Sequence, residues 1–223
     1  MAKEGQGDPF MTKVAMTMAI IAAAVATVGL MGDNKGDDVL ESQGMANRLL
    51  TEAASLRVES SNTFSRYQSK KGRMEEKEHA LAFTKLFAPA QGSEQVRAEY
   101  VKKWEAYIES NRTSPKDIRI GEDGFPAKTA DGKEDDTLGA LLVTGIRYKE
   151  MADQKVEEAA KFSHEAETAH NQGDKLDLGH LFLEFGLVLC TISVLTRRNL
   201  FWIAGVTVAV TGVGFAVQAF LIG

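Results

Sequence analysis

LGHLFLEFGLVLCTISVLTRRNLFWIAGVTVAVTGVGFAVQAFLIG, residues 178–223, is the stretch that decides the fold. Its second half, Leu200 to Ile222, carries no charged residue, and Gln218 is its most polar member. About 20 apolar residues cross a bilayer as a helix, so residues 200–222 read as a transmembrane helix. Residues 178–196 read as another, apolar except for His180 and Glu184. Only Arg197, Arg198 and Asn199 separate them, enough for a tight turn. The stretch is therefore a membrane hairpin with a double arginine at its tip. Arginines in short loops stay on the cytoplasmic side, which points the tip inward.

Working outward, residues 14–31 form a third uncharged run behind a short polar leader, residues 1–13, that contains Lys3 and Lys13. A secretory signal cleaved near Ala24-Val25-Ala26 is the rival reading. The run is longer than a usual signal core, so a retained anchor is expected. With Lys13 inside, the first helix exports residues 32–177, the second returns the chain, and Arg197 and Arg198 lie inside.

The exported part is strongly charged and short of large apolar residues, so the mean hydropathy of -0.18 averages two populations. Few prolines and much Ala, Glu, Lys and Leu favour helix. Residues 32–36, Gly-Asp-Asn-Lys-Gly, read as a break, with Asp37 or Asp38 capping the next helix. That helix runs to about Phe87 and ends before Pro89. Ala46, Leu49, Ala53, Leu56, Ser60, Thr63 and Tyr67 fall at alternating steps of three and four, a narrow seam of coiled-coil type. At 1.5 Å per residue such a helix reaches roughly 70 Å. A second helix, about Ser93 to Ser110, carries Val96, Tyr100, Trp104, Tyr107 and Ile108 on one face. Residues 111–136 read as a long loop. A last helix starts near Thr137, with Leu138, Leu142, Gly145, Ala152, Val156, Ala159, Ser163 and Ala166 as its seam. The expected fold is all-α: three transmembrane helices and an exported antiparallel pair of long, coiled-coil-like helices.

The membrane segments carry small residues at helical steps. They are Ala15, Ala19, Ala22, Ala26 and Gly29 in the first, Gly186, Cys190 and Ser193 in the second, and Gly205, Ala209, Gly212, Ala216 and Ala219 in the third. Such seams let backbones approach closely, either within one chain or between chains. Glu184 is an intramembrane acid, with His180 one turn before it on the same face. Together they would relay a proton or bind a cation, or else lie solvated near the outer interface. Gln218 is placed to meet Glu184 through a hydrogen bond.

Other chemistry is sparse. The net charge of -5 shows no basic stripe, and no nucleic-acid partner is expected. The single cysteine excludes an internal disulfide and a cysteine-built zinc site. His164 and His170 do not share a helix face. The acidic run Asp131, Glu134, Asp135 and Asp136 lacks the spacing of a calcium loop. No nucleophile arrangement or phosphate loop is present, so no catalytic, cofactor or metal residues are expected, and the chain is expected not to be an enzyme.

Phe64-Ser65-Arg66-Tyr67-Gln68-Ser69-Lys70 is similar to an aromatic-x-x-Tyr-Gln-x-Lys stretch, with Phe64 where tryptophan is usual. With Leu195-Thr196-Arg197-Arg198 at the hairpin tip and the order of the segments, it resembles the domain of unknown function 4337 family of bacterial membrane proteins. The resemblance implies a bacterial inner membrane and brings no activity. The expected role is a membrane-anchored scaffold or accessory subunit, with lipid, copies of itself or other subunits as partners. A membrane sensor with a separate signalling partner and an oligomeric channel using Glu184 are the alternatives.

Overall fold

The computed structural model describes residues 9–221. The element order is α1 (Pro9–Leu86), α2 (Glu94–Asn111), a short 3-10 turn (Pro115–Asp117), α3 (Leu138–Thr196) and α4 (Asn199–Leu221). Among the described residues the only β pairing is one isolated bridge between Ile120 and Pro126. The apolar segments of α1, α3 and α4 are each long and apolar enough to cross a membrane. Most of the leader, residues 1–8, lies outside the described residues, as do Ile222 and Gly223.

The expected break at residues 32–36 does not occur, because α1 is one helix of 78 residues. No proline removes a backbone donor there, and each interior glycine costs only about 1 kcal/mol relative to alanine. Neither Asp37 nor Asp38 is therefore a cap. Asp38 instead accepts a 3.0 Å hydrogen bond from Lys35 one turn earlier.

The chain divides into two compact units. The first comprises Met1–Asn47 and Ala159–Gly223. Its core is Val14, Ile21 and Val28 of α1 with Leu176, Leu183 and Cys190 of α3 and Ala209, Ala216 and Ala219 of α4. On both α1 and α3 these residues recur every seven positions, so one line of side chains stays on the facing side. The α1 and α3 segments run antiparallel, since Gly29 lies against His180 and Gly32 against Asp177. The hairpin turn closes at Arg197, whose φ of 51° is left-handed and ends α3. Ser193 donates a 3.1 Å hydrogen bond to the Arg198 carbonyl across that turn.

The second unit, Arg48–Glu158, pairs the rest of α1 with the start of α3, again antiparallel. Ala46 at the edge of the first unit and Leu49, Ala53, Ser60 and Thr63 in the second are all buried. Ser60 donates a 2.8 Å hydrogen bond to the Gly145 carbonyl, and the Phe64 ring lies where a Cβ on Gly145 would meet it at 3.2 Å. A seam of small and hydroxylic residues thus brings the helices close and satisfies its own polar groups. α2 folds back on the end of α1 with no residue fully buried. It is held by Arg112–Glu78 at 2.8 Å, Lys85–Glu105 at 3.2 Å, and Lys77 over the Tyr107 ring at 4.7 Å. Arg97 also donates to the Thr84 carbonyl, covering an open acceptor at the end of α1.

Candidate functional site

In the first unit the seam expected on α4 faces α3 in full: Gly205, Ala209, Gly212, Ala216 and Ala219 are its buried residues. The approach is backbone to backbone. A Cβ on Gly186 would lie 2.8 Å from the Gly205 carbonyl oxygen, and one on Gly212 would lie 2.7 Å from that of Gly179. Cys190 and Ser193 complete the α3 face and are both fully buried. Gly179 belongs to this contact and escaped the sequence reading, although a step of seven back from Gly186 reaches it.

The small residues read on α1 do not pack within the chain. Ala15, Ala19, Ala22 and Ala26 are exposed, and Gly29 is half-buried against the His180 ring. Packing uses Val14, Ile21 and Val28, each one residue before Ala15, Ala22 and Gly29 and so about 100° round the helix. The larger side chains fill the space over Leu176 and Leu183, which alanines leave open.

Glu184 and Gln218 are not brought together. Gln218 faces Lys175, at 3.5 Å. Glu184 points away from the three-helix core with 54% of its side chain exposed, and its ion-pair partner is His180, 3.9 Å away. The charges at the two ends of the apolar segments differ. Lys13 precedes the buried Val14, and Thr17 accepts a 3.3 Å hydrogen bond from the Trp202 indole, three residues past Asn199. Lys13 therefore shares an end with Arg197 and Arg198. At the opposite end Gly32 meets Asp177, and Asp33, Asp37, Asp174 and Asp177 line one groove with His170 and Lys35.

The second unit holds a cleft of about 760 Å³ beside the aromatic-x-x-Tyr-Gln-x-Lys stretch. Glu59, Thr63 and Arg66 come from α1, Leu141, Thr144 and Tyr148 from α3, and the rest from the connection between α2 and α3. That connection is built, not loose. Gly121 N–H donates to the Phe125 carbonyl and Ala127 N–H to that of Arg119, both at 2.7 Å. Gly124 turns the chain at φ 78° over Arg147, whose Nε a Cβ there would meet at 2.9 Å. The Phe125 ring then rests on Tyr148 with centroids 4.9 Å apart.

One clamp fixes the cleft's edge to the start of α3. Lys70 binds Asp136 at 2.8 Å and also donates to its carbonyl, while Arg66 binds the same carboxylate at 2.9 Å. Asp135 accepts the Thr137 N–H at 2.9 Å, and the Thr137 hydroxyl accepts from Ala140 N–H in the first turn of α3. Burial resists ionisation of Asp136, but the Lys70 hydrogen bond and charge, joined by Arg66, outweigh it and hold the carboxyl below its usual value. Of the motif residues, Phe64 packs on Gly145 and Lys70 makes the clamp, whereas Tyr67 is half-buried and Gln68 exposed. The acidic run does not gather round a cation: Asp131 accepts a hydrogen bond from the Thr129 hydroxyl and pairs with Lys133 at 3.5 Å. Among the described residues no group of three His, Cys, Asp or Glu is placed to hold a metal.

No curated protein and no solved structure matches this sequence. The domain of unknown function DUF4337 matches residues 10–222, nearly the whole chain and including both the clamp and the hairpin, and the chain belongs to that family.

Proposed function

We propose that the protein is a membrane-anchored scaffold or accessory subunit of a larger assembly in the bacterial inner membrane. It spans the bilayer three times, keeps its N-terminus in the cytoplasm and presents the coiled-coil-like second unit outside. Glu184 carries this reading. It lies seven residues, about 10 Å of helix, past Asp177 in an apolar segment, and it faces outward. A carboxylate facing hydrocarbon is expensive, and a neighbouring helix that offers a polar group removes that cost. Because α4 spends its small residues on α3, the surface left for a partner is the outer face of α1 and α3.

The exposed apolar side chains on α2 and around the end of α1 support the same role. Phe83, Phe87, Val96 and Tyr100 are each more than half exposed in the second unit, and such patches mark interaction surfaces. The test is the mass of the complex in nanodiscs made from native lipid, by light scattering. A species larger than one chain, reduced to the single-chain mass by Glu184→Leu, is expected. A lone chain in native lipid overturns the proposal. Ion conductance abolished by Glu184→Gln in planar bilayers would replace it with a channel.

A further inference from the structure

We propose that the groove between α1 and α4 in the first unit seats an acyl chain of an anionic phospholipid, whose headgroup Lys13 and Arg198 hold. The proposal rests on the three-span reading above and on no protein partner. Ile21, Leu183 and Ala209, all buried, form the floor of the groove, and Ile20, Val210 and Val213, all exposed, form its rims. It opens because α1 and α4 both pack on α3, while Ala24 and Ala209 are too short to close the gap between them. Thr17 is its one polar residue, and that hydroxyl is spent: it donates to the Lys13 carbonyl at 2.9 Å and accepts from Trp202. The space is about 250 Å³ and follows seven residues of each helix, about 10 Å. A helix about 10–12 Å across does not enter it, whereas one hydrocarbon chain does. Half of the hydrocarbon core is about 15 Å deep, so a lipid of one leaflet reaches its whole length.

Charge stands at one mouth of this groove. Both α1 and α4 run antiparallel to α3 and so parallel to each other, with Thr17 meeting Trp202. Lys13 and Arg198 each stand four residues before that contact, level with one another. Lys13 also continues the line of Thr17, Ile20 and Ala24 on α1, at steps of four, three and four. No aspartate or glutamate occurs in residues 9–31 or 185–221, so neither segment supplies a counter-charge. α4 begins at the same mouth, and the free N–H groups of its first turn add a positive end. Basic residues beside a gap between membrane helices suit an acidic lipid headgroup. Cations followed by a hydrocarbon-lined groove match a phospholipid from its phosphate to its chain, which a side chain from another protein does not.

The experiment follows Trp202 fluorescence of the full chain, in a Trp104→Phe background, reconstituted into phosphatidylcholine vesicles. The probes are phosphatidylglycerol and phosphatidylcholine, each brominated in the upper acyl chain. Half-maximal quenching should need about tenfold less brominated phosphatidylglycerol than brominated phosphatidylcholine. Lys13→Gln/Arg198→Gln should bring the two lipids within about twofold of each other. Ala24→Leu fills the groove and should weaken quenching by phosphatidylglycerol about threefold. Ala22→Leu, on an exposed face of α1 outside the groove, should leave it unchanged. Equal quenching by the two lipids in the parent chain, a preference that survives the double glutamine variant, or equal effects of the two leucine variants overturns the site. Quenching that fades as the protein-to-lipid ratio rises shows a second chain in the groove and overturns it as well. The glutamine variants touch no packed residue, so that arm decides even where Ala24→Leu disturbs the helices. Failure of both lipids to quench Trp202 would instead overturn the three-span reading, an outcome distinct from lost selectivity.

Discussion

Gly186 meets Gly205, and Gly212 meets Gly179, at distances no side chain tolerates. These four glycines set the separation of α3 and α4. Gly212→Leu forces the helices apart and is expected to destabilise the chain by about 1–3 kcal/mol. Gly214→Leu, where a Cβ meets nothing within 4 Å, should be neutral. Thermal melts in mild detergent, followed through Trp202 fluorescence in a Trp104→Phe background, distinguish the two. Because the contact closes within one chain, the loss appears as unfolding and does not report on association between copies. The α4 seam was legible because its other positions are mostly Val and Phe, so the small residues stood out. On α1 an alanine background concealed which line packs, and the heptad of Val14, Ile21 and Val28 was the better guide. Asp136 carries a second expectation at this scale. Its pKa is lowered in the folded chain, so its contribution is present above the usual carboxylate value of 3.8 and is lost as pH falls through the lowered one. Asp136→Asn should cost about 1 kcal/mol at pH 7, the upper end for a partly exposed pair. In urea titrations the gap between the two proteins should narrow below about pH 4. A gap that widens towards acid contradicts the clamp.

At the scale of elements, continuity is what local sequence conveyed least. A run of Gly-Asp-Asn-Lys-Gly has every sign of a turn, and nothing nearby in the chain says otherwise. The register of the seam says otherwise: Val28, Lys35, Ser42 and Leu49 keep steps of seven across the supposed break, and α1 continues. Helix propensity is a small term beside burial of such a line, so the tertiary pattern prevails. Gly36 gives the test, since a Cβ there meets nothing within 4 Å. In a continuous helix Gly36→Ala should stabilise by up to about 1 kcal/mol. In a turn that needs glycine it would destabilise, and chemical denaturation monitored by circular dichroism decides the sign. Other boundaries were legible for plain reasons. Thr137 caps α3, Pro89 follows the end of α1, and two arginines and an asparagine leave room only for a turn. The cleft was not legible, because its walls come from residues as distant as Glu59, Glu134 and Tyr148. Only the loop's return onto Tyr148 brings them together.

For the molecule as a whole, the consequential expectation is which side of the membrane each segment occupies. Lys13, Arg197 and Arg198 gather at one end of the apolar segments, and Asp33, Asp37, Asp174 and Asp177 at the other. Lysines and arginines near helix ends are retained in the cytoplasm, whereas acidic residues weigh little in orientation. The argument therefore rests on the three cations, and Lys35 and Lys175 beyond the opposite ends oppose them. Lys3 in the leader adds to them in sequence, and the two arginines lie in a loop of minimal length, where the rule acts most strongly. A cysteine placed at Lys133, in a Cys190→Ala background, should react with a membrane-impermeant maleimide added to intact spheroplasts. A cysteine at Asn199 should react only after the membrane is opened. Cys190 is fully buried and lies against Gly205, so its replacement by alanine removes the competing thiol without overfilling that contact. The reverse labelling pattern would place the second unit and its cleft in the cytoplasm. Any partner of that unit would then have to be sought among cytoplasmic molecules, with every packing contact unchanged.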